Sequence, residues 1–441
     1  MSDNQEIYPK DWPLRRLEDI AFHITSGGTP TSGNARFYSE SGQYLFAKTE
    51  DLTASKTKYL EHCELKITES ALRESSAKIY PVGTILISMY GTIGLTKITR
   101  CELAANQALC ALMPPFNCDP NYLYQHLEFI RPDWLRFSGQ TTQANISGGI
   151  VRVREVPLPA ISEQKQIAQI LDTIDTAIQQ TQAIINKLKQ LKQGLLHDLL
   201  TRGVDANGEL RPCYEDAPHV YKESPLGWIP KEWEVKKLDS ISSTVTSGSR
   251  DWARFYADTG ALFIRIGNLT REHINFRYDS VIYVNPPANG DGQRTKLEAG
   301  DILISITADL GIIGVMSDRM GEAYINQHIS LVRPVHKDVN SRFIGHYLCT
   351  SQAQNYISKL NDGGAKSGLN LPTIRSLEVS LPLSRVEQDC IATQLDNIDN
   401  QIQTSKQELE KLKSTKLGVM DDLLTGRIRV TSLLQTEASS V

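Results

Sequence analysis

Long apolar runs are missing from this 441-residue chain, and without a run of about 18 apolar residues no membrane-spanning helix is predicted. The opening MSDNQEIYPKDW lacks the apolar core of a signal peptide, so a cytoplasmic protein is expected. Cysteine is sparse: the seven are an odd number with no C-x-x-C, which argues against a disulfide framework or a zinc site and for buried or incidental thiols. A basic excess is missing too. Lys and Arg number 47 against 51 Asp and Glu, for a net charge of −4. Non-specific nucleic-acid binding ordinarily rests on surplus positive charge. Any DNA contact by this chain must therefore be local and sequence-reading, or helped by a partner.

Familiar catalytic signatures are equally scarce. There is no G-x-x-x-x-G-K-[ST], no H-E-x-x-H and no G-x-S-x-G. The nine histidines are scattered, and His126 and His346, on comparable helical segments, read as packing residues rather than metal ligands. Asn285-Pro286-Pro287 resembles the substrate motif of amino-methylating DNA methyltransferases, in which an aromatic follows to stack on a flipped base. Here the next residue is Ala288, and no Gly-rich cofactor loop lies upstream, so the segment reads as a turn. No catalytic residue, metal site or bound cofactor is expected on this chain.

What the sequence does contain is a duplication. Residues 25–42 (TSGGTPTSGNARFYSESG) return as 246–260 (TSGSRDWARFYADTG), both opening on Thr-Ser-Gly and both carrying ARFY. YPKDWPLRRLEDI (8–20) matches IPKEWEVKKLDSI (229–241). FAKTEDLT (46–53) matches FIRIGNLT (263–270), and GTILISMYGTIG (83–94) matches GDILISITADLG (300–311). ANQALCALMP (105–114) matches INQHISLVRP (325–334), and NYLYQHL (121–127) matches SRFIGHYL (341–348). Drifting offsets between fixed landmarks are the mark of two domain copies that keep a scaffold and vary their loops. Strands entered through Gly, with helical spacing after them, predict mixed α+β domains over 1–160 and 229–384.

Each copy is followed by a longer, better-kept repeat. EQKQIAQILDTIDTAIQQTQAIINKLKQLKQGLLHDLLT (163–201) aligns without a gap on EQDCIATQLDNIDNQIQTSKQELEKLKSTKLGVMDDLLT (387–425). Apolar residues recur with heptad spacing at Ile167, Leu171, Ile174, Ile178, Ile185, Leu188, Leu195 and Leu199. In the second copy they are Ile391, Leu395, Ile398, Ile402, Leu409, Leu412, Val419 and Leu423. A hydroxyl column (Thr181, Ser405) and a lysine column (Lys192, Lys416) interrupt the seam, as polar residues that fix register do. Two long antiparallel coiled-coil helices are predicted, over 161–203 and 385–430. The turn-rich linker between the first helix and the second domain (204–228 at its core) is expected to be ordered only in part, and 431–441 to be a flexible tail.

The variable loops are the candidate site. In the first copy Thr29, Thr31, Asn34, Arg36, Tyr90, Gln140, Thr141 and Gln143 offer donors and acceptors suited to base edges. In the second the set is Ser249, Arg250, Asp251, Arg254, Lys366, Ser367 and Asn370, with Trp252 placed to stack or wedge. The retained Arg-Phe-Tyr of each ARFY reads as scaffold or phosphate contact, and the differing TPTSGN and SRDW as the parts that read sequence.

These features together resemble the specificity subunit of type I restriction–modification systems along nearly the whole chain. The residues that carry the resemblance include SGGTPTSGNARFY, GTILIS, NQALCAL, VPLPAISEQKQIA (156–168), the LLTRG end (199–203), ESPLGWIPKEWEVKKL (223–238) and EVSLPLSRVEQDCIA (378–392). The resemblance implies two target-recognition domains held apart by two conserved antiparallel helices, each domain reading half of a split double-stranded DNA target. It implies two methyltransferase subunits bringing S-adenosylmethionine, and restriction and motor subunits using ATP and Mg. Two other readings stand beside it: a self-sufficient DNA adenine methyltransferase, and a coiled-coil adaptor without DNA specificity.

Overall fold

The computed structural model describes residues 8–137, 145–286, 290–335, 337–360 and 368–431. The chain divides into two compact units, Met1–Ala183 with Lys406–Val441, and Ile184–Ser405.

In the first unit an antiparallel sheet runs in the order Ala21–Ser26, Leu109–Phe116, Ile85–Ser88, Thr96–Thr99, with Tyr59–Leu60 added in parallel at one edge. A second sheet has the order Leu65–Ile67, Tyr44–Ala47, Leu103–Ala105, Ile79–Tyr80, its two middle strands parallel. The Ile-Leu-Ile run of Ile85–Ser88 is fully buried because both of its faces are covered. Ile85 and Ile87 point into a core with Tyr122, Leu123 and Leu127 of helix α1 (Pro120–Phe129). Leu86, one residue out of phase, points into a core with Ala47, Leu52 and Leu103. Period-two alternation of side chains produces this division. Leu14–Arg16 pairs with Glu155–Pro157 and closes the domain on itself.

Helix α2 (Ile161–Thr201) follows, 41 residues long, about 60 Å at 1.5 Å per residue. Its first turns belong to the first unit, where Ile167 and Leu171 join the domain core beside Met420, Leu423 and Leu424 of the last long helix.

The second unit repeats the plan. Its sheets run Ser242–Ser247, Ile329–Pro334, Ile302–Ser305, Ile313–Val315 and Tyr256–Ala257, Tyr283–Val284, Ala261–Ile264, Ala323–Ile325. Trp233–Lys237 and Glu378–Pro382 form its closing pair. Ile302 and Ile304 face Phe343 and Ile344 of helix α3 (Ser341–Leu348), and Leu303 faces Ile264 and Leu269. Helix α4 (Arg385–Leu424, 40 residues) supplies Ile391 and Leu395 to this core, beside Leu196, Leu199 and Leu200 from the end of α2. In both units the start of one long helix thus lies beside the end of the other, the antiparallel pairing expected from the repeat. The seam positions Ile174, Ile178, Leu188, Ile398, Ile402 and Leu412 are buried or half-buried.

The kept EQ of each long helix has a local explanation. Gln164 accepts from the Asp119 backbone N–H at 2.8 Å and donates to the Pro159 carbonyl at 2.7 Å. Gln388 does the same with Asn340 (2.7 Å) and Pro382 (2.8 Å). Asp119 and Asn340 are the N-caps of α1 and α3, so each glutamine ties an α+β domain to its long helix. The glutamates each accept an arginine fork: Arg429 on Glu163 at 2.7 and 2.8 Å, Arg211 on Glu387 at 2.5 and 3.0 Å.

One expectation fails. The linker is folded rather than ordered only in part. Tyr221–Ser224 and Gly227–Pro230 form a hairpin, Tyr214 stacks on Trp228 at 4.4 Å between centroids, and Val204 is buried. The turn formers that suggested looseness make the hairpin turn, and Arg211 anchors the segment to Glu387. Cys110 and Cys118 are buried, which pushes each thiol up to about 12. Residues 432–441, most of the expected tail, lie outside the described residues.

Candidate nucleic-acid interface

A short backbone ladder gathers the polar loops of each domain onto one edge. In the first copy Gly27 N–H donates to the Leu109 carbonyl (3.1 Å) and Gly28 N–H to that of Ala105 (3.0 Å). Met89 N–H then donates to Ala108 (2.8 Å), and Ile146 N–H to Met89 (3.1 Å). The Thr-Ser-Gly loop, the Asn-Gln turn, the Met-Tyr-Gly turn and the start of the late segment are thereby laid side by side. The second copy repeats the ladder: Gly248 to Ile329 (3.2 Å), Ile306 to His328 (3.0 Å), Leu369 to Ile306 (3.0 Å).

This ladder explains why Thr-Ser-Gly is written twice. A Cβ on Gly27 would lie 2.1 Å from the Asn106 carbonyl oxygen, and one on Gly248 2.0 Å from that of Asn326. Only glycine permits that approach. The Asn side chains hold the turn, Asn106 Oδ1 accepting from Ala108 N–H and Asn326 Oδ1 from His328 N–H, both at 3.2 Å.

Upon this common frame the two copies carry different groups. In the first, Thr29 donates to the exposed Gln107, and Thr31 is exposed. Asn34 accepts from Arg36 N–H (3.0 Å) and lines a groove of about 280 Å³ with Thr29, Gly33, Tyr38 and Lys48. Tyr90 is 43% exposed, and its backbone bridges to Asn145. Arg36 is turned to Glu74 at 2.7 Å. Phe37 is buried, and Tyr38 packs edge-on against Phe46 while donating to the Pro30 carbonyl at 2.8 Å. The first ARFY is therefore a brace that closes its own loop.

In the second copy Arg250 and Asp251 are exposed, Asp251 with a left-handed φ of 64°. Arg254 lies 4.8 Å over the Phe255 ring. Trp252 does not wedge outward as expected. It is 4% exposed, stacked on Phe263 with ring centroids 5.3 Å apart and packed beside Tyr324, so its area is spent on the core of the small sheet. Asn370 caps Leu371–Ser376, accepting from Thr373 N–H at 2.8 Å, as Ser147 caps Gly148–Val153 in the first copy. Gln140, Thr141, Gln143, Lys366 and Ser367 lie outside the described residues, as do Pro287 and Ala288. Asn285 N–H donates to the Phe255 carbonyl at 2.9 Å, continuing the small sheet.

Sequence reasoning passed over Gln107 and four residues of the second copy. Thr307 sits where the first copy has Tyr90 and meets His328 Nδ1 at 2.7 Å, while Gln327 meets His328 Nε2 at 2.9 Å. Arg294 reaches the Thr-Ser-Gly-Ser loop from a short helix about 45 residues downstream, donating to Ser249 Oγ at 2.6 Å. Gln107 and Gln327 stood in the repeated Asn-Gln motif, but Arg294 has no counterpart to flag it.

Two like domains, each with loops that differ on a shared frame and each clasped by the paired ends of two long helices, define a tandem recognition protein. The family profile described as the type I restriction modification DNA specificity domain matches residues 9–190 and 230–414, and the chain belongs to that family. It is a type I restriction–modification specificity subunit, the component for DNA target recognition. Among its relatives, the putative type I restriction enzyme MjaX specificity subunit of Methanocaldococcus jannaschii is 26% identical over 435 residues, 96% of this chain and 95% of the relative. The EcoBI specificity subunit of Escherichia coli is 22% identical over 355 residues, 77% of this chain and 73% of the relative. The crystal structure of the type I S subunit from M. genitalium shares the fold, with a TM-score of 0.60 at 15% identity over 96% of this chain and 97% of that one. None of these relatives favours a stand-alone methyltransferase or an adaptor without DNA specificity.

Proposed function

We propose that the chain reads a split, asymmetric double-stranded DNA target, one half through each domain (1–160 and 229–384), and that the long helices set the gap between halves. The observation that carries this reading is the repeated ladder bearing unlike groups: Thr29 with Gln107 and Tyr90 on one, Ser249 with Arg294, Thr307 and His328 on the other. One frame docked twice positions the domains equivalently, and unlike side chains read unlike bases. Arg250, Asp251, Asn34 and Thr31 are the remaining described groups proposed to face DNA. A wrong base pair costs roughly 1–3 kcal/mol, so several such contacts per half are needed.

The chain itself is non-catalytic in this reading, and acts in the cytoplasm. Two methyltransferase subunits bring S-adenosylmethionine, and restriction subunits bring ATP and Mg. The near-even charge of the chain agrees with phosphate attraction being shared with partners. Exchanging residues 1–160 for those of a relative with another target tests the modular claim. One half of the methylated motif should change and the other stay; change in both halves sinks it.

A further inference from the structure

The two Thr-Ser-Gly loops are braced on the same side by different means. In the first copy the backbone comes close: a Cβ on Gly28 would lie 2.4 Å from the Ser76 carbonyl oxygen. In the second copy the corresponding support is a side chain. Arg294 donates through one terminal nitrogen to Thr246 Oγ1 and the Ser247 carbonyl, both at 2.7 Å, and through the other to Ser249 Oγ at 2.6 Å. The equivalence of these places rests on the sheets. Ile79 bridges to Ala104, and Lys296 bridges to Tyr324, the positions matched by the repeat. Two residues before each bridge stand Ala77, which is buried, and Arg294, which is exposed.

The geometry points to Arg294 as the positioning residue for specificity in the second half-site, an inference that rests on the DNA-reading role proposed above. Thr246 is buried at the end of its strand, whereas Ser249 is two residues beyond Ser247, in the loop that continues into exposed Arg250 and Asp251. A planar guanidinium spanning both fixes where the loop leaves the sheet, and so where Arg250 and Asp251 are presented. A lysine ammonium keeps the charge but is a single point and does not reproduce the two-ended bridge. The first loop owes nothing to this residue and serves as the internal control.

The test uses the full chain with its partner methyltransferase subunits in cells, scoring N6-methyladenine across the genome. In Arg294→Ala the half of the motif read by 229–384 should become degenerate at one position or more, with near-cognate sites methylated at least about tenfold more often. The other half should be unchanged. Arg294→Lys should show the same degeneracy despite its charge. Amide exchange over 246–251 should quicken in both variants, with 25–34 unaffected. An unchanged motif in Arg294→Ala overturns the inference. So does full rescue by lysine, which would mean a simple charge contact, and so does equal loss of methylation at both halves, which would mean an assembly defect. Absence of any split motif in the wild type would instead remove the DNA-reading role on which the inference stands.

Discussion

Lys192 donates to the carboxylate of Asp399 across the paired helices of the second unit, and the same lysine donates to the Glu272 carbonyl at 2.7 Å. The repeat writes this pair twice: Lys416 donates to Asp175 at 2.6 Å in the first unit. The seam lysines are thus ion-paired rather than solvated, and Asp399 is 1% exposed. Removing one partner of a buried pair strands the other, whereas replacing both with apolar groups of similar size is often neutral or stabilising. Asp399→Ala should destabilise the second unit by about 3–5 kcal/mol. Lys192→Met combined with Asp399→Leu should return stability to within about 1 kcal/mol of the wild type or above it. Urea unfolding followed by tryptophan fluorescence measures both. A double variant as weak as the single one would show that the pair is needed for more than avoiding a stranded charge.

His126 predicts a pH dependence. It is wholly buried, which lowers it to about 3, with Arg154 adding to the effect, and its ring lies against Tyr122 and Phe129. Neither ring nitrogen has a hydrogen-bond partner among the described residues. An unfolded histidine takes up a proton below about 6.5, but the folded one does not until about 3, so the unfolded state binds more protons in that window. The stability from His126 is therefore full above pH 6.5 and is lost as pH falls toward 3, at about 1.4 kcal/mol per pH unit. His346 is lowered by burial as well and adds a slope of the same sign in the second unit, where Asp396 accepts from it at 2.8 Å. His126→Leu should remove only its own share. Stability of the first unit measured from pH 7 to 4 decides the matter; an unaltered slope in the variant contradicts the prediction.

Ala308 has a φ of 58°, and Gly91, its counterpart in the first copy, has 67°. An L-residue in that region carries about 1–2 kcal/mol of strain, partly offset by the greater freedom of glycine when unfolded. Ala308→Gly should stabilise the second unit by about 0.5–1 kcal/mol, and Gly91→Ala should destabilise the first by about 1 kcal/mol. Thermal denaturation of the two variants should show shifts of opposite sign.

Gly27→Ala and Gly248→Ala each place a methyl group within 2.1 Å of a carbonyl oxygen, so the loop must lift from the Asn-Gln turn. Each substitution should weaken binding of the assembled complex to its target duplex at least tenfold, about 1.4 kcal/mol. The binding isotherms should still respond normally to base changes in the untouched half. Unaltered affinity in both variants would remove the ladder as the frame of the interface.

Much of this was legible in the sequence because the chain is its own alignment. Positions kept between copies proved to be the frame: Gly27 and Gly248 at the close approach, Asn106 and Asn326 in the turn, Gln164 and Gln388 on the helix caps. The apolar heptads, dense over two long helices, read directly as a seam. The misses share a cause, which is that tertiary partners are invisible locally. Trp252 sits among polar residues and looked exposed, yet Phe263 and Tyr324 arrive from other strands to bury it. The linker looked loose from its turn formers, because the Arg211–Glu387 fork that anchors it spans 176 residues. Arg294 stands in no motif and gains its place only when the sheet folds its short helix against the loop.

The most direct test of split-target recognition is a comparison of native DNA from cells with and without this gene, scoring N6-methyladenine at every position. Deletion should erase methylation at one motif made of two unlike halves separated by a fixed gap. An unchanged methylome, in cells whose partner methyltransferase is expressed and active, would contradict it.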